Sequence, residues 1–284
     1  MSSSDTEFDL SRLGQCFTSS EVEIAAEATQ RFAEATNDDH ADFRAGRLAP
    51  PLYAAVPPLE TMVAAKNAIT PAFAVHGDHD LVVHMPLRPG MTVRSTATVV
   101  GILQRSAGVA TIIRTETHSR DGSLVNKQYV TTFVSGASIA ESVGEEAPSH
   151  VPPFSDSQPM MEVALSLDPD QTRRFAVASA DWESYTLDEK AAQALGFPTV
   201  IVHGTCTMAF AGRALIATVC DGDSTRLRRF AVRLSRPLLL VPGQTLTTRI
   251  WAVEVAGERN VYGFEAVDRD EVRVLKNGWV EVAN

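Results

Sequence analysis

Apolar residues in this chain fall into runs of two kinds, short β-branched runs and longer helix-like segments. The short runs are rich in Val, Thr and Ile and end at Gly, Pro or Asp, as strands bounded by turns do. They lie at 80–87, 91–103, 108–119, 124–136, 228–240, 244–256, 260–269 and 273–283. This pattern predicts two successive sets of strands.

The longer segments predict helices. Residues 19–36 have a helical pattern, and Ser19 and Ser20 are plausible capping residues at its start. Residues 49–68 and 200–220 are long and apolar, and the second of these suits a buried helix. A long apolar helix followed by antiparallel strands, once in each half, indicates the α+β class with a curled sheet around each central helix.

The chain also repeats itself, which predicts duplication of one domain. The segment FAEATND at 32–38 matches FAVASAD at 175–181, and RPGMTV at 88–93 matches VPGQTL at 241–246. The matches keep the same order in both halves, at offsets of 143 and 153 residues. We therefore predict two domains whose sheets join into one continuous antiparallel surface, which removes edges that would otherwise aggregate.

The stretch between the repeats reads as a linker. Residues 136–159 are rich in Ser, Pro, Glu and Gly and show no periodicity. With 284 residues in the chain, each domain is large enough to bury its own core. We predict a first domain over 1–138, a linker over 139–160 and a second domain over 161–284.

Composition narrows the classes of function. A net charge of −10 argues against nucleic acid as a partner, because phosphate contacts need clustered Lys and Arg. No apolar run approaches the roughly 20 residues of a membrane helix, and the N-terminus does not resemble a signal peptide, so we expect a cytoplasmic protein. The basic cluster RLRRF at 226–230 fits either a solvated strand start or a clamp for the phosphates of a coenzyme A or carrier-protein arm.

Neither a metal site nor a cofactor site is expected. His76, His79 and His84 are close in sequence, but their spacing matches no common zinc pattern. On a regular strand His79 would point away from the other two. The chain has three scattered cysteines, no glycine loop that would cradle a phosphate and no nucleophile elbow.

The second half resembles the MaoC-like, or hydratase-2, family of acyl-thioester dehydratases. The resemblance rests on Gly196-Phe197-Pro198, on the pair His203-Gly204 and on the spacing between them, within the stretch 179–215. It implies a tandem, or double, hot-dog fold, present as a homodimer or as a monomeric double hot-dog. It also implies hydratase or dehydratase chemistry on an acyl group carried by coenzyme A or acyl carrier protein.

The family motif is incomplete in this chain. The family sequence Ser-Gly-Asp-x-Asn-Pro-x-His pairs a carboxylate with an imidazole for acid–base work on a water molecule. Asp181 falls on the motif aspartate, but Glu183 holds the Asn position and Thr186 holds the His position. In the first half Asp38 matches the Asp, His40 the Asn and Phe43 the His, so neither half has the complete pair.

Candidate catalytic residues are Asp181 as acid or base, Glu183 as its partner, and Gly204. By resemblance, the Gly204 N–H at a helix start would polarise a thioester carbonyl. Candidate substrate-binding residues are Tyr185, Thr186, His203 and His40.

Several interpretations stay open. Asp181 could instead cap a helix that starts near Thr186 or Leu187, and His203 could have a structural role. The missing imidazole leaves room for an isomerase, a cyclase or a non-catalytic binding module. The pocket is expected at the domain junction, between the 179–186 turn, the start of the 200–220 helix and apolar residues of 49–63.

Overall fold

The structure is a computed structural model that describes residues 8–70, 72–150, 158–255 and 259–284. The helices are α1 (Ala26–Ala35), α2 (Ala41–Arg44), α3 (Leu59–Ile69), α4 (Gln171–Ser179), α5 (Glu189–Ala194) and α6 (Gly204–Thr218). Single 3₁₀ turns lie at Leu10–Arg12, Pro51–Ala55, Ser184–Thr186 and Ser224–Arg226. The strands of the first half are β1 (Cys16–Thr18), β2 (Val22–Glu23), β3 (Val75–Val83), β4 (Thr92–Arg105), β5 (Gly108–Ser119), β6 (Leu124–Ser135) and β7 (Val143–Gly144). Those of the second half are β8 (Met161–Ser166), β9 (Leu227–Leu234), β10 (Thr245–Val255), β11 (Arg259–Asp268) and β12 (Arg273–Ala283).

Within the described ranges, all twelve strands belong to one antiparallel sheet. Its main path runs β1-β4-β5-β6-β3-β9-β12-β11-β10-β8, and β2 and β7 also pair with β4. The order on one side of the β3–β9 pair mirrors the order on the other, which gives the sheet a pseudo-two-fold axis. The predicted α+β class and the continuous antiparallel surface are confirmed.

The buried helix of the second half is α6. Ten of its fifteen residues are buried, and six of these, Phe210 and Leu215 among them, belong to the main core together with apolar residues of the second-half strands. The predicted helix over 200–220 is therefore correct in kind, although it begins at Gly204. The first-half counterpart differs, because Pro57 and Pro58 divide the 49–68 segment into the 3₁₀ turn at 51–55 and α3.

The helix predicted over 19–36 is shorter than expected. It begins at Ala26, because Val22 and Glu23 form β2 and pair with Val93 and Thr92 of β4. Ser19 is therefore not a helix cap, and its hydroxyl accepts a hydrogen bond from the Ser95 N–H at 3.0 Å. Strand pairing has overridden the helical pattern at this end.

Repeat-equivalent helices meet at the pseudo-two-fold axis. The rings of Phe32 on α1 and Phe175 on α4 have centroids 5.4 Å apart, and both side chains are fully buried. The Gln171 side-chain amide donates to the Ala35 carbonyl at 2.5 Å. The residues that revealed the repeat in the sequence are thus part of the contact between the halves.

The predicted linker over 139–160 is partly built into the first half. Val143 and Gly144 pair with Ile102 and Gly101 of β4 as strand β7. His150 is buried and its Nδ1 atom contacts the Asn277 carbonyl of β12 at 2.8 Å. Residues 151–157 of this segment lie outside the described residues. In the part of the chain that the structure describes, no helix has the length and apolar character needed to cross a bilayer.

We predict that Phe32→Ala destabilises the protein by about 3–5 kcal/mol, because it opens a cavity where the two halves meet and the site cannot collapse freely. The matched control is Val177→Ala on α4, where the side chain is 53% exposed and a change within about 0.5 kcal/mol is expected. Urea unfolding followed by circular dichroism measures both. A loss below about 1 kcal/mol for Phe32→Ala would show that this contact does not stabilise the junction.

Candidate active site

A cavity of about 500 Å³ lies at the junction of the two halves. The first half contributes one face of α3, the start of β3 and the middle of β6. The second half contributes the turn at 181–186, the start of α6 and residues 234–238. The location is the one predicted, although the wall from the first half extends beyond residue 63 to Lys66 and Asn67.

Most of the predicted site residues border this cavity. They are Asp181, Glu183, Tyr185, Thr186, His203 and Gly204. His40 does not, and its ring serves the local fold. Its Nδ1 atom accepts from the Asp42 N–H at 3.2 Å, its Nε2 donates to the Gly222 carbonyl at 2.7 Å, and its ring stacks on Phe43. The structure therefore places His40 outside the predicted site, as a cap of α2.

A sharp turn after α4 positions Asp181. Ala180 ends the helix with φ of 59°, in the left-handed region that residues with a Cβ rarely adopt, so the chain leaves the helix axis at once. Asp181 does not cap the next helix: the cap of α5 is Asp188, whose carboxylate accepts from the Ala191 N–H at 2.8 Å. The capping alternative for Asp181 is therefore excluded.

Two carboxylates share this side of the cavity. Partial burial, reinforced by the charge of Asp181, raises the pKa of Glu183, and the ammonium of Lys66 on α3 opposes that rise. Burial also raises the pKa of the Tyr185 hydroxyl well above its ordinary value, with smaller contributions from both carboxylates. Glu183 therefore keeps its proton more readily than an isolated carboxylate would.

The hydroxyl of Thr186 forms hydrogen bonds with two neighbouring groups of the protein. Its hydroxyl donates to the Glu183 carbonyl at 2.7 Å and lies 2.9 Å from Nε2 of His203. That Nε2 atom also lies 3.1 Å from the Asp181 carbonyl, which can only accept, so Nε2 carries the proton. Burial lowers the pKa of His203, and the neutral ring holds the turn against the start of α6.

Gly204 is the first residue of α6, so its N–H has no acceptor within the helix and lies at the positive end of the helix dipole. A side chain here would collide with two neighbours. A Cβ atom would lie 2.5 Å from Cδ2 of Leu234 and 3.1 Å from Nδ1 of His76. The helix start is therefore open to the cavity only because residue 204 is glycine.

Comparison with known proteins identifies the family. The model of the MaoC like domain matches residues 150–272. The chain is 30% identical over 221 residues to 3-hydroxyacyl-thioester dehydratase Y of Mycobacterium tuberculosis, which covers 76% of this chain and 74% of that protein. This chain belongs to the MaoC-like dehydratase family. It is also 28% identical over 179 residues, or 62% of its length, to peroxisomal multifunctional enzyme type 2 of Drosophila melanogaster, of which it spans only 29%.

Solved structures of MaoC-like and related proteins share the fold. A MaoC-like dehydratase from Phytophthora capsici superposes with a TM-score of 0.85 at 23% identity, covering 97% of this chain and 98% of that one. A conserved hypothetical protein of Mycobacterium tuberculosis, described as a double hotdog fold, superposes with a TM-score of 0.60 at 14% identity, covering 95% and 96%. The double hot-dog fold expected from the sequence is confirmed.

The sequence interpretation missed two histidines of this MaoC-like site. His76 and His79 both line the cavity, and the Nε2 atom of His76 lies 3.2 Å from Nδ1 of His79. The expectation that they point to opposite faces is wrong, because a β-bulge interrupts the register between His76 and Asp78. One extra residue in the strand puts positions three apart on the same face. Gly77 within a strand was the signal for that bulge.

The basic cluster at 226–230 serves the fold of this MaoC-like chain. Arg226 forms an ion pair with Asp221, and Arg229 binds the carboxylates of Asp80 at 2.7 Å and Glu281 at 3.4 Å. Because these two guanidinium groups are already paired, two of the three arginines of the cluster are taken from the phosphate-clamp alternative. Across the residues that the structure describes, there is no cluster of three or more His, Cys, Asp or Glu side chains able to hold a metal ion.

We predict that Gly204→Ala lowers the free energy of unfolding by about 1–3 kcal/mol through overpacking. Most of this cost should disappear in a Leu234→Ala background, because the closest collision is with Leu234. Urea unfolding of both single variants, the double variant and the unchanged protein gives the coupling. An equal cost of Gly204→Ala in both backgrounds would contradict the collision.

We also predict that Glu183→Gln does not lower stability at pH 7–8 and raises it slightly. Folding raises the pKa of the Glu183 carboxyl, so the folded state binds this proton more tightly than the unfolded state does. The stabilisation that results from proton binding is lost as the pH rises through the folded pKa. The difference from the unchanged protein should vanish below about pH 4, near the unfolded pKa. The control is Glu23→Gln, at an exposed position. We expect its stability difference from the wild-type protein to stay the same across the pH range. Unfolding midpoints between pH 4 and 8 test this, and a loss of stability at pH 8 would refute it.

Proposed function

We propose that this protein catalyses the reversible addition of water to 2-enoyl thioesters, and hence the dehydration of 3-hydroxyacyl thioesters. The observation that carries the proposal is the meeting of three features in one cavity: the start of α6 at Gly204, the carboxylates of Asp181 and Glu183, and an apolar wall from α3. Membership of the MaoC-like family supports it. A relative that is 30% identical to this chain is named as a 3-hydroxyacyl-thioester dehydratase.

The wall from α3 suits an acyl chain. Leu59, Met62 and Val63 lie on one side of that helix and border the cavity together with Phe73. An alkyl chain against these side chains would be removed from water at about 25 cal/mol per Å² of apolar surface. The thioester would then lie at the polar end of the cavity, where the α6 start and the carboxylates are found.

The chemistry follows from those positions. The thioester oxygen would accept a hydrogen bond from the Gly204 N–H, which stabilises the negative charge that develops there when C2 becomes enolate-like. Water would add its oxygen to C3 and give a proton to Asp181. C2 would take a proton that comes from solvent through a second group of the cavity, and Asp181 would then release its own proton to solvent. In dehydration the same steps reverse: C2 loses a proton and the carboxyl returns one to the departing hydroxyl.

The proposal requires one chain and one acyl thioester. Because both halves of the same chain line the cavity, a second copy is not needed to complete it. We propose coenzyme A or acyl carrier protein as the carrier of the acyl group, and a panel containing both carriers distinguishes them.

We predict that the unchanged protein hydrates a 2-enoyl thioester and that Asp181→Asn lowers kcat about 10²–10⁴-fold, the usual effect of losing one general acid or base. The control is Asp39→Asn in the equivalent turn of the first half, where the side chain is 83% exposed and outside the cavity. Absorbance at the enoyl-thioester band follows the reaction, and mass spectrometry of the panel identifies products.

Two outcomes would contradict this prediction. Equal turnover by Asp181→Asn and the unchanged protein would remove Asp181 from the acid–base role. Thioester binding by calorimetry without any turnover across the panel would overturn the enzymatic proposal in favour of a non-catalytic acyl-binding module.

A further inference from the structure

We infer that His76, on β3 of the first half, is the base that removes and returns the proton at C2 of the thioester, in place of the imidazole that Thr186 has displaced from the motif. This inference rests on the proposed function and names the group that acts beside the Gly204 N–H. It makes the site a composite, with the carboxylates from one half and the imidazole from the other.

The first step is the place of His76. The side chain lines the cavity, and its Nδ1 atom lies 3.1 Å from the position that a Cβ on Gly204 would occupy. In the proposed complex the thioester oxygen is bound at the N–H of the same glycine. C2 is one bond from the carbonyl carbon, so Nδ1 is the imidazole nitrogen that faces the region where C2 would lie.

The second step is whether Nδ1 of His76 carries a proton, and a chain of hydrogen bonds determines this. The Gln128 side-chain NH₂ donates to the Ala54 carbonyl at 2.8 Å, so its oxygen faces Nε2 of His79 at 2.9 Å. His79 must donate through Nε2 and therefore accepts at Nδ1. His76 fills that acceptor with its own Nε2–H at 3.2 Å. The Nδ1 atom of neutral His76 is left with a free lone pair.

The third step is the charge state of the two rings. Burial lowers the pKa of His79 to about 4 and that of His76 to about 3, with a further contribution from the neighbouring ring in the case of His76. Both rings are therefore neutral in the absence of substrate at neutral pH, which is the form that can accept a proton. A developing enolate beside Nδ1 would favour the imidazolium that forms during the reaction.

The proton balance involves one imidazole and one carboxyl. In dehydration Nδ1 of His76 takes the C2 proton, the C3–O bond breaks, and the protonated carboxyl of the Asp181–Glu183 pair gives its proton to the leaving oxygen to form water. The imidazolium and the carboxylate then restore their starting states by proton exchange with water. Hydration runs through the same states in reverse, so no other reactant is required. His79 and Gln128 are positioning residues, because they act only through His76.

The test separates the two proton-transfer roles. Butyryl-CoA, which has C2 protons but no double bond and no hydroxyl, is incubated with the protein in D₂O, and deuterium uptake at C2 is followed by mass spectrometry. Crotonyl-CoA hydration is measured in parallel. We expect His76→Gln, which keeps an amide donor toward His79 but has no base at Nδ1, to slow both reactions about 10²–10⁴-fold. Asp181→Asn should slow hydration while keeping most of the exchange.

Two further variants guard against a folding artefact. His84→Gln changes an exposed histidine of the same segment outside the cavity and should keep both activities. His76→Ala leaves room for added imidazole, which should restore part of the exchange if the missing group is a base and not a structural contact.

Each outcome decides the inference. Loss of exchange in His76→Gln with retention in Asp181→Asn supports it. Normal exchange in His76→Gln, or a loss of exchange in Asp181→Asn as large as that in His76→Gln, overturns it while leaving the proposed hydratase function intact. Failure of the unchanged protein to hydrate any enoyl thioester overturns the proposed function and this inference together.

Discussion

The antiparallel pairing of β3 with β9 is the interaction on which the rest of this structure depends. Five residue pairs join Asp78–Val82 to Arg229–Arg233, and they make one sheet of two halves that would otherwise each have an open edge. The same pairing brings His76 next to the start of α6, because β3 carries the histidine and Leu234 at the end of β9 packs beside Gly204. The junction that completes the sheet therefore also builds the cavity, and neither half alone contains the whole lining.

The cavity brings carboxylates and imidazoles together along one lining. The carboxylates of Asp181 and Glu183 repel each other, and Lys66 offsets part of that repulsion. Two neutral imidazoles of the first half, those of His76 and His79, line the same cavity. The backbone at Ala180 adopts an unfavourable conformation that brings Asp181 out of α4. These local features lower the stability of the folded state. The large core that contains α6 and the Phe32–Phe175 contact offsets this loss.

Much of the fold could be predicted from the sequence. The repeat and the apolar 200–220 segment are each patterns of many residues, and such a pattern still identifies an element when a few positions depart from it. The site depends on the positions of single residues, so less of it could be predicted from the sequence. Thr186 is in the predicted place, but its hydrogen bond with His203 is set by a turn geometry that no local pattern encodes. The two histidines on β3 were assigned to opposite faces because a strand without a bulge alternates strictly, and one inserted residue at Gly77 reverses that alternation. Helix α1 was predicted too long because the pairing of Val22 with Val93 is a contact distant in sequence.

Pro57 and Pro58 separate α3 from the turn before it, and this separation determines which wall of the cavity can vary in length. In the second half the equivalent helix, α6, fills the centre of its sheet, whereas α3 is shorter and presents one side to open space. The residues on that side, from Leu59 to Asn67, recur at helical intervals and carry none of the groups assigned to proton transfer. Each turn of the helix measures about 5.4 Å along the cavity. Substitutions on this one side of α3 would therefore change the length of the cavity without altering the groups assigned to proton transfer, which lie on other elements.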